Sequence, residues 1–435
     1  MLAALDQAAG PDYNAMFAIA FFLVCLIIAP QLWIPGFMNL PTDFIGYPLL
    51  FIAAVMSGRL VKVLRFGIHE WLFFAFFVWT IVSSLFNGFT ENSIPFLIFY
   101  FKAFVLFKLV TALLEGSYDR VRTFVRILTV LVLILGVEVL FHRFSADGRG
   151  WAGQTFSWID PEVLAAGGKG RARWIGIFDG PGVFCVLFTI VVPFVLVQLG
   201  KSYSTGTRVY AFVAMALLLV ATYFIGSRGG MVATLAIFGI YFLVKSKLSF
   251  RAMLACGALG GAVLMFAPSH LTTVRDSQNS TQYRVEMWAE GLEMMKQNPL
   301  LGIGRGNFKA YTSKLIAHNS AVEIGGETGV AGLFLYIALI YFCLKSTLHA
   351  RQHFTEQRDK DFALAAALAL LGYVISMMFV TLEYETFYLL MAMCAALGRC
   401  VPQPLEATKR DFKIVGISTV GFLIFVQIFV IGFLG

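Results

Sequence analysis

Charge is scarce in this sequence. Of 435 residues, 33 are Lys or Arg and 25 are Asp or Glu, together 13%. A soluble domain carries about 25%. With 59% apolar residues and 15% aromatics, the chain lacks the polar surface that water demands. Much of it must take lipid as its solvent, which excludes a soluble enzyme, a disordered chain and a nucleic-acid binder. Cysteine is sparse too, and Cys25, Cys185, Cys256, Cys343, Cys394 and Cys400 show no CxxC or metal-ligand spacing. They read as small apolar packing residues, with neither a disulfide framework nor a zinc site. There is no low-complexity tract, and no repeat with the period of about 20–50 residues that marks a solenoid. The first apolar stretch lacks a small-residue cleavage site after it and is expected to be a retained anchor.

Long apolar runs are what the chain has in plenty. A membrane-spanning helix needs about 20 mostly apolar residues. Such stretches fall near 14–34, 43–58, 68–86, 94–114, 122–142, 181–199 and 207–225, then 229–244, 250–267, 321–345, 361–381, 384–398 and 413–433. The expected fold is an all-α, polytopic transmembrane helix bundle of about 12–13 spans, with short helices in two longer loops. Its expected divisions are N-terminal spans over 1–142, a loop at 143–180, a core at 181–345 that includes a second loop at 268–320, and C-terminal spans over 346–435.

Orientation follows from the cations. Alternate connections hold Arg59, Lys62 and Arg65; Arg120, Arg122 and Arg126; Lys201 and Arg208; Lys245, Lys247 and Arg251. The same side collects Lys345, Arg351, Arg358 and Lys360, then Arg399, Lys409, Arg410 and Lys413. The connections at 35–42, 87–93 and 382–383 have no Lys or Arg. The positive-inside rule puts the basic set in the cytoplasm, together with the N-terminus; an odd number of spans leaves the C-terminus outside. The net charge of +8 therefore needs no nucleic-acid partner, because cytoplasmic loops of membrane proteins carry an excess of Lys and Arg.

Both long loops then fall outside. Loops beyond about 12–15 residues are usually functional or disordered. The first holds Arg143, Arg149, Lys169, Arg171 and Arg173; the second holds Arg275, Arg284, Lys296, Arg305, Lys309 and Lys314. These are either solvated faces or contacts for an anion at the outer surface.

Three patterns bear on that choice. Gly226-Ser227-Arg228-Gly229-Gly230 puts an arginine in a turn of a few residues between two spans. An arginine there needs an anion, which a lipid phosphate or a substrate can supply. Residues 281–297 read as an amphipathic helix stopped by Pro299, with Arg284, Trp288 and Leu292 on one face and Glu286, Glu290 and Glu293 largely on another. That stripe suits an interfacial anchor, or a phosphate or sugar ligand gripped by the guanidinium fork. Finally, His318-Asn319 precedes Glu323, Glu327 and Gly329 at the mouth of a span. Histidine titrates nearest neutral pH and can exchange a proton in catalysis, although a lone one is more often structural. A helix over 281–297 spans about 25 Å, and the 20 residues after it can retrace that length. Arg228, Arg284 and His318 can therefore converge at the outer interface.

In their order and spacing these residues resemble the O-antigen ligase superfamily, which covers O-antigen ligases, polysaccharide polymerases and bacterial O-oligosaccharyltransferases. The resemblance rests on Ser227-Arg228-Gly229, Arg284 with Trp288, Asn298-Pro299-Leu300-Leu301-Gly302-Ile303-Gly304, Asn307-Phe308, His318-Asn319, Glu327, Gly329 and Gly332, roughly residues 170–345. A single His318 stands where many ligases have two histidines, and thirteen spans exceed the usual twelve by one.

The resemblance implies metal-independent glycosyl transfer of the GT-C type at the periplasmic face of a bacterial inner membrane. The donor is a glycan on undecaprenyl pyrophosphate, the acceptor lipid A-core or another glycan, and no cofactor is needed. His318, Arg284 and Arg228 are the implied catalytic residues: the arginines hold the pyrophosphate and the histidine orients or deprotonates the acceptor hydroxyl. Arg173, Trp288, Asn319, Glu327 and Arg305 are the implied substrate-binding set. No Asp-x-Asp motif or acidic cluster occurs in the two external loops. Ligase and polymerase share the same donor grip, and protein O-glycosylation falls in the same class. A transporter is the rival from another class, and here the obvious intramembrane charges are Lys102, Lys108 and Glu138, without a repeat.

Overall fold

A computed structural model describes residues 12–38, 40–157, 170–245, 274–312 and 316–434. Among them there is no β-strand, only one isolated bridge between Arg149 and Thr155. The helices are α1 (Tyr13–Ile27), α2 (Thr42–Met56), α3 (Leu60–Leu64), α4 (Ile68–Phe86), α5 (Ser93–Leu114), α6 (Tyr118–Phe144), α7 (Pro181–Gln198) and α8 (Thr205–Ile225). They continue as α9 (Arg228–Lys245), α10 (Val274–Gln297), α11 (Phe308–Tyr311), α12 (Ser320–His353), α13 (Gln357–Met377), α14 (Glu385–Gly398) and α15 (Lys409–Leu434).

Each stretch read as a span coincides with a helix, except 250–267, which lies outside the described residues. Among the described residues nine helices are long and apolar enough to cross a membrane. The chain is a polytopic helical bundle. Helices α1, α2 and α14 are apolar but shorter, with 15, 15 and 14 residues. The first stops early because Ala29 is left-handed (φ 52°) and Pro30 follows, a pair that cannot continue an α-helix.

The chain forms two compact units: Met1–Arg59, Leu113–Thr272 and Thr347–Ser376 in one, Leu60–Ala112, Thr273–Ser346 and Met377–Gly435 in the other. In the first, α7 is the core, buried at every residue from Val183 to Val197 and flanked by α6, α8 and α9. One end of this unit is tied by Arg59 and Arg120, which donate to the Glu115 carbonyl at 3.2 and 2.7 Å, and by a Lys245–Asp361 ion pair. At the other end the Trp174 indole donates to the Ile27 carbonyl (2.9 Å), and residues 150–154 turn back so that Gln154 donates to Glu138 (2.6 Å). One Glu138 oxygen is thereby met from its own loop, while the other is buried without a hydrogen-bond partner among the described residues.

In the second unit α14 is buried from Thr386 to Gly398, with Tyr388 stacked on Phe73 at 5.1 Å. Its basic end is paired: Arg399 with Glu70 (2.7 Å), Lys345 with Asp411 (2.8 Å), and Lys108 with the Arg65 carbonyl. Helix α10 lies on α15, joining Val285, Trp288 and Leu292 to Val426 and Val430. The Arg284–Trp288–Leu292 stripe is therefore a packing face, and Glu286, Glu290 and Glu293 are exposed as read.

Candidate active site

Within the first unit, the implied residues are Arg173 and Arg228. Gly226 ends α8 in the left-handed conformation (φ 65°), which glycine adopts without a Cβ penalty. Ser227 turns inward and its hydroxyl accepts the Gly230 N–H (3.3 Å), capping α9. Arg228 is left exposed at the first turn of an 18-residue helix, whose N-terminal dipole adds to its positive charge. The Ala172 N–H donates to the Phe224 carbonyl (3.2 Å), bringing the 170–175 segment to the same turn. Arg173 is half-buried, donating to the Thr155 carbonyl (2.8 Å) and pairing with Asp179 (2.5 Å).

The second unit holds Arg284, Trp288, Arg305, His318, Asn319 and Glu327. Helix α12 is broken at Gly329, where φ is 71° and ψ is −178°. The break leaves the carbonyls of residues 326–328 without helical partners, and other parts of this unit satisfy them. Ile303 N–H donates to Gly326 (3.1 Å), Gly304 N–H to Glu327 (2.9 Å) and the Trp79 indole to Thr328 (2.9 Å). In return the Val330 N–H, freed by the same break, donates to the Pro299 carbonyl (2.8 Å). The Asn298–Phe308 motif is thus a plug fitted into a broken helix. Its close approach requires Gly302 (φ 65°), where a Cβ would lie 2.5 Å from the Glu327 carbonyl carbon.

Arg305 lies in that plug, 1% exposed, and pairs with both Glu327 and Glu383. Its guanidinium also lies over Phe96, 4.5 Å from the ring centroid, while Tyr100 donates to Glu383 (2.7 Å). Burial alone would lower the Arg305 pKa, but the two carboxylates outweigh it and hold the group well above its ordinary value. The other Glu327 oxygen accepts the Phe308 N–H (2.8 Å).

The 316–319 turn lies against α10. The Trp288 indole donates to the Ala317 carbonyl (3.0 Å), and its ring packs on Phe429 with centroids 5.3 Å apart. Asn319 is fully buried and accepts the N–H groups of Ala321 (3.1 Å) and Val322 (3.2 Å), capping α12. His318, between these anchors, is half-buried and left-handed, with φ 50°. Burial, helped by the nearby Arg284 charge, pushes its pKa down to about 4. At neutral pH the imidazole is therefore uncharged and can accept a proton beside a guanidinium.

Of the implied residues, Arg228, Arg173, Arg284 and His318 keep some exposure, whereas Trp288, Arg305, Asn319 and Glu327 are buried and hydrogen-bonded within the protein. Glu383 is a residue the sequence reading missed. The available signal was an acid in a connection without a single Lys or Arg.

A family model described as O-antigen ligase matches residues 212–337. This segment is similar to the O-antigen ligase family. It runs from within α8 into α12 and takes in each implied residue except Arg173, which precedes it. The resemblance read from the motifs is borne out, and the match supports a ligase- or polymerase-type function for this membrane protein. No curated protein matches the chain.

Proposed function

We propose that the protein transfers a glycan from undecaprenyl pyrophosphate to an acceptor hydroxyl, such as one on lipid A-core, at the periplasmic face of a bacterial inner membrane. What supports this reading is His318, half-buried in a left-handed turn at the mouth of α12 and near the Arg284 charge, within the segment that matches the O-antigen ligase model. The acceptor oxygen attacks the anomeric carbon, and the bond from that carbon to the pyrophosphate oxygen breaks. His318 takes the acceptor proton, and the leaving pyrophosphate keeps the electron pair. Arg284 offsets the charge on the pyrophosphate, a role for which preorganised cations suit phosphoryl oxygens; Arg228 and Arg173, which belong to the other unit, are cations that the resemblance implies for the same anion. Arg228 brings the added field of the α9 N-terminus, a favourable place for phosphate. With charge supplied by arginine, the reaction proceeds without a divalent cation. The buried Trp288, Asn319, Glu327 and Arg305 act by fixing the plug and the 316–319 turn.

The test uses purified protein, a synthetic undecaprenyl-pyrophosphate oligosaccharide, lipid A-core and EDTA. His318→Ala is expected to lower kcat by about 10²–10⁴-fold, the usual worth of a general base. Arg284→Ala is expected to cost about 10²–10³-fold, as for other removed charge-stabilising groups. Lengthening lipid-linked glycans without lipid A-core would establish a polymerase instead, and donor that never turns over in folded protein would sink both readings.

Acid sensitivity gives a second expectation. For an ordinary histidine kcat/KM falls by half near pH 6.5. Here the proton-accepting form survives further acidification, so kcat/KM should stay flat through that range and decline only toward about 4. A midpoint near the ordinary value would show that His318 is not held as described.

A further inference from the structure

His318 holds a left-handed backbone conformation, which is uncommon and strained for a residue other than glycine. Such a conformation persists only where its neighbours over-determine it. Downstream, Asn319 caps α12 and the Ser320 hydroxyl accepts the Leu382 N–H (2.9 Å). Upstream, Trp288 fixes the Ala317 carbonyl. Among the described residues, Tyr283 meets both this turn and the imidazole. The Tyr283 oxygen faces the Ile316 backbone N–H, and its ring meets the His318 ring nearly edge-on, with centroids 6.3 Å apart and planes at 64°.

Tyr283 immediately precedes Arg284 on α10, so one turn of helix supplies both the cation beside the imidazole and the ring that backs it. Trp288, on the next turn, is committed to the buried α10–α15 interface. Tyr283 is half-buried at the edge of that interface, where changing it disturbs little of the core.

We propose that Tyr283 is the positioning residue for His318. Its hydroxyl ties down the backbone two residues ahead, and its ring limits the imidazole to the orientation in which it receives the acceptor proton. This rests on the proposed role of His318. A displacement of about 1 Å at a reacting group costs about 10²-fold in rate. Loss of the hydroxyl alone leaves the ring in place and should cost less.

The experiment measures kcat, KM and melting temperature for Tyr283→Phe, Tyr283→Ala and His318→Ala, with the synthetic undecaprenyl-pyrophosphate oligosaccharide and lipid A-core. Tyr283→Phe is expected to lower kcat about tenfold and Tyr283→Ala about 10²-fold, the latter matching a lost alignment. KM and melting temperature should stay at the wild-type values in both. If both Tyr283 variants keep wild-type kcat while His318→Ala is inactive, the Tyr283 proposal is overturned and the His318 reading stands. If His318→Ala keeps wild-type kcat, the reading of His318 fails and the Tyr283 role with it. A fall in melting temperature that accompanies every loss of kcat would assign Tyr283 to the scaffold alone and overturn the proposal.

Discussion

Arg305→Leu is expected to cost about 3–5 kcal/mol of stability, the usual result of removing one partner from a buried ion pair. Glu327 and Glu383 are both buried, and each loses its cation in this variant. Burial already holds the Glu383 pKa above the ordinary carboxylate value even with Arg305 and Tyr100 in place. Without the guanidinium both carboxylates would have to take up protons or open the plug to water. Arg305→Lys should recover little, because one ammonium cannot serve two carboxylates as the planar fork does. The decisive variant is Arg305→Leu combined with Glu327→Gln and Glu383→Gln. Replacing a complete buried ionic cluster by neutral groups is often close to neutral in stability, and a glutamine oxygen can still accept the Phe308 N–H. Thermal unfolding in detergent, followed by tryptophan fluorescence, checks the series. Should Arg305→Leu melt with the wild type, the cluster contributes nothing and the account of the plug is wrong.

Residues of this cluster also show what could be read without coordinates. The spans were legible because lipid imposes a composition, and even the short stretches at 43–58, 229–244 and 384–398 are the helices α2, α9 and α14. Stopping was legible at Pro299, which acts within a few residues of chain, whereas Asn319, expected to bind substrate, caps α12. Chain length allowed Arg228, Arg284 and His318 to meet; of that trio, Arg284 lies near enough to His318 for its charge to lower the histidine's pKa.

Arg305 was different. As an arginine in an external loop it was expected to meet substrate, yet its carboxylate partners lie 22 and 78 residues away. Nothing in local periodicity encodes a pairing over such a separation. The same applies to Trp79 and Ser83, which reach the broken segment of α12 from 249 and 244 residues away. Trp288 was misleading in another way. An aromatic on an apolar stripe looks the same whether it faces a ligand or a neighbouring helix, and only the packing on Phe429 separates the two.

Gly329→Ala is expected to disable the second unit. The glycine's φ of 71° and ψ of −178° fall in a region essentially closed to residues with a Cβ, and the backbone cost alone is about 1–3 kcal/mol. Space makes it worse. A Cβ built there would overlap the Leu300 carbonyl and stand 2.8 Å from the Leu301 nitrogen, both backbone atoms that cannot rotate away. Relaxation has one direction, which is to straighten α12 so that residue 329 becomes helical. Straightening would return the Gly326 carbonyl to the Val330 N–H and so break the bonds that Ile303 N–H and the Pro299 carbonyl make at this point. The plug would be expelled, Arg305 would leave its carboxylates, and Phe308 would lose the Glu327 oxygen that holds it beside Ala317. Two measurements separate this outcome from a local defect. Limited proteolysis should cut the 298–312 segment in Gly329→Ala and spare it in the wild type. Glycan transfer should fall at least as far as in His318→Ala, because the turn that carries the histidine goes with the plug. Gly332→Ala is the useful comparison. Its Cβ would meet the Thr328 side chain and stand 3.2 Å from the Trp79 ring, groups that can move, and its φ is ordinary. A Gly329→Ala protein that is as protease-resistant and as active as Gly332→Ala would mean that the helix break is incidental to the site.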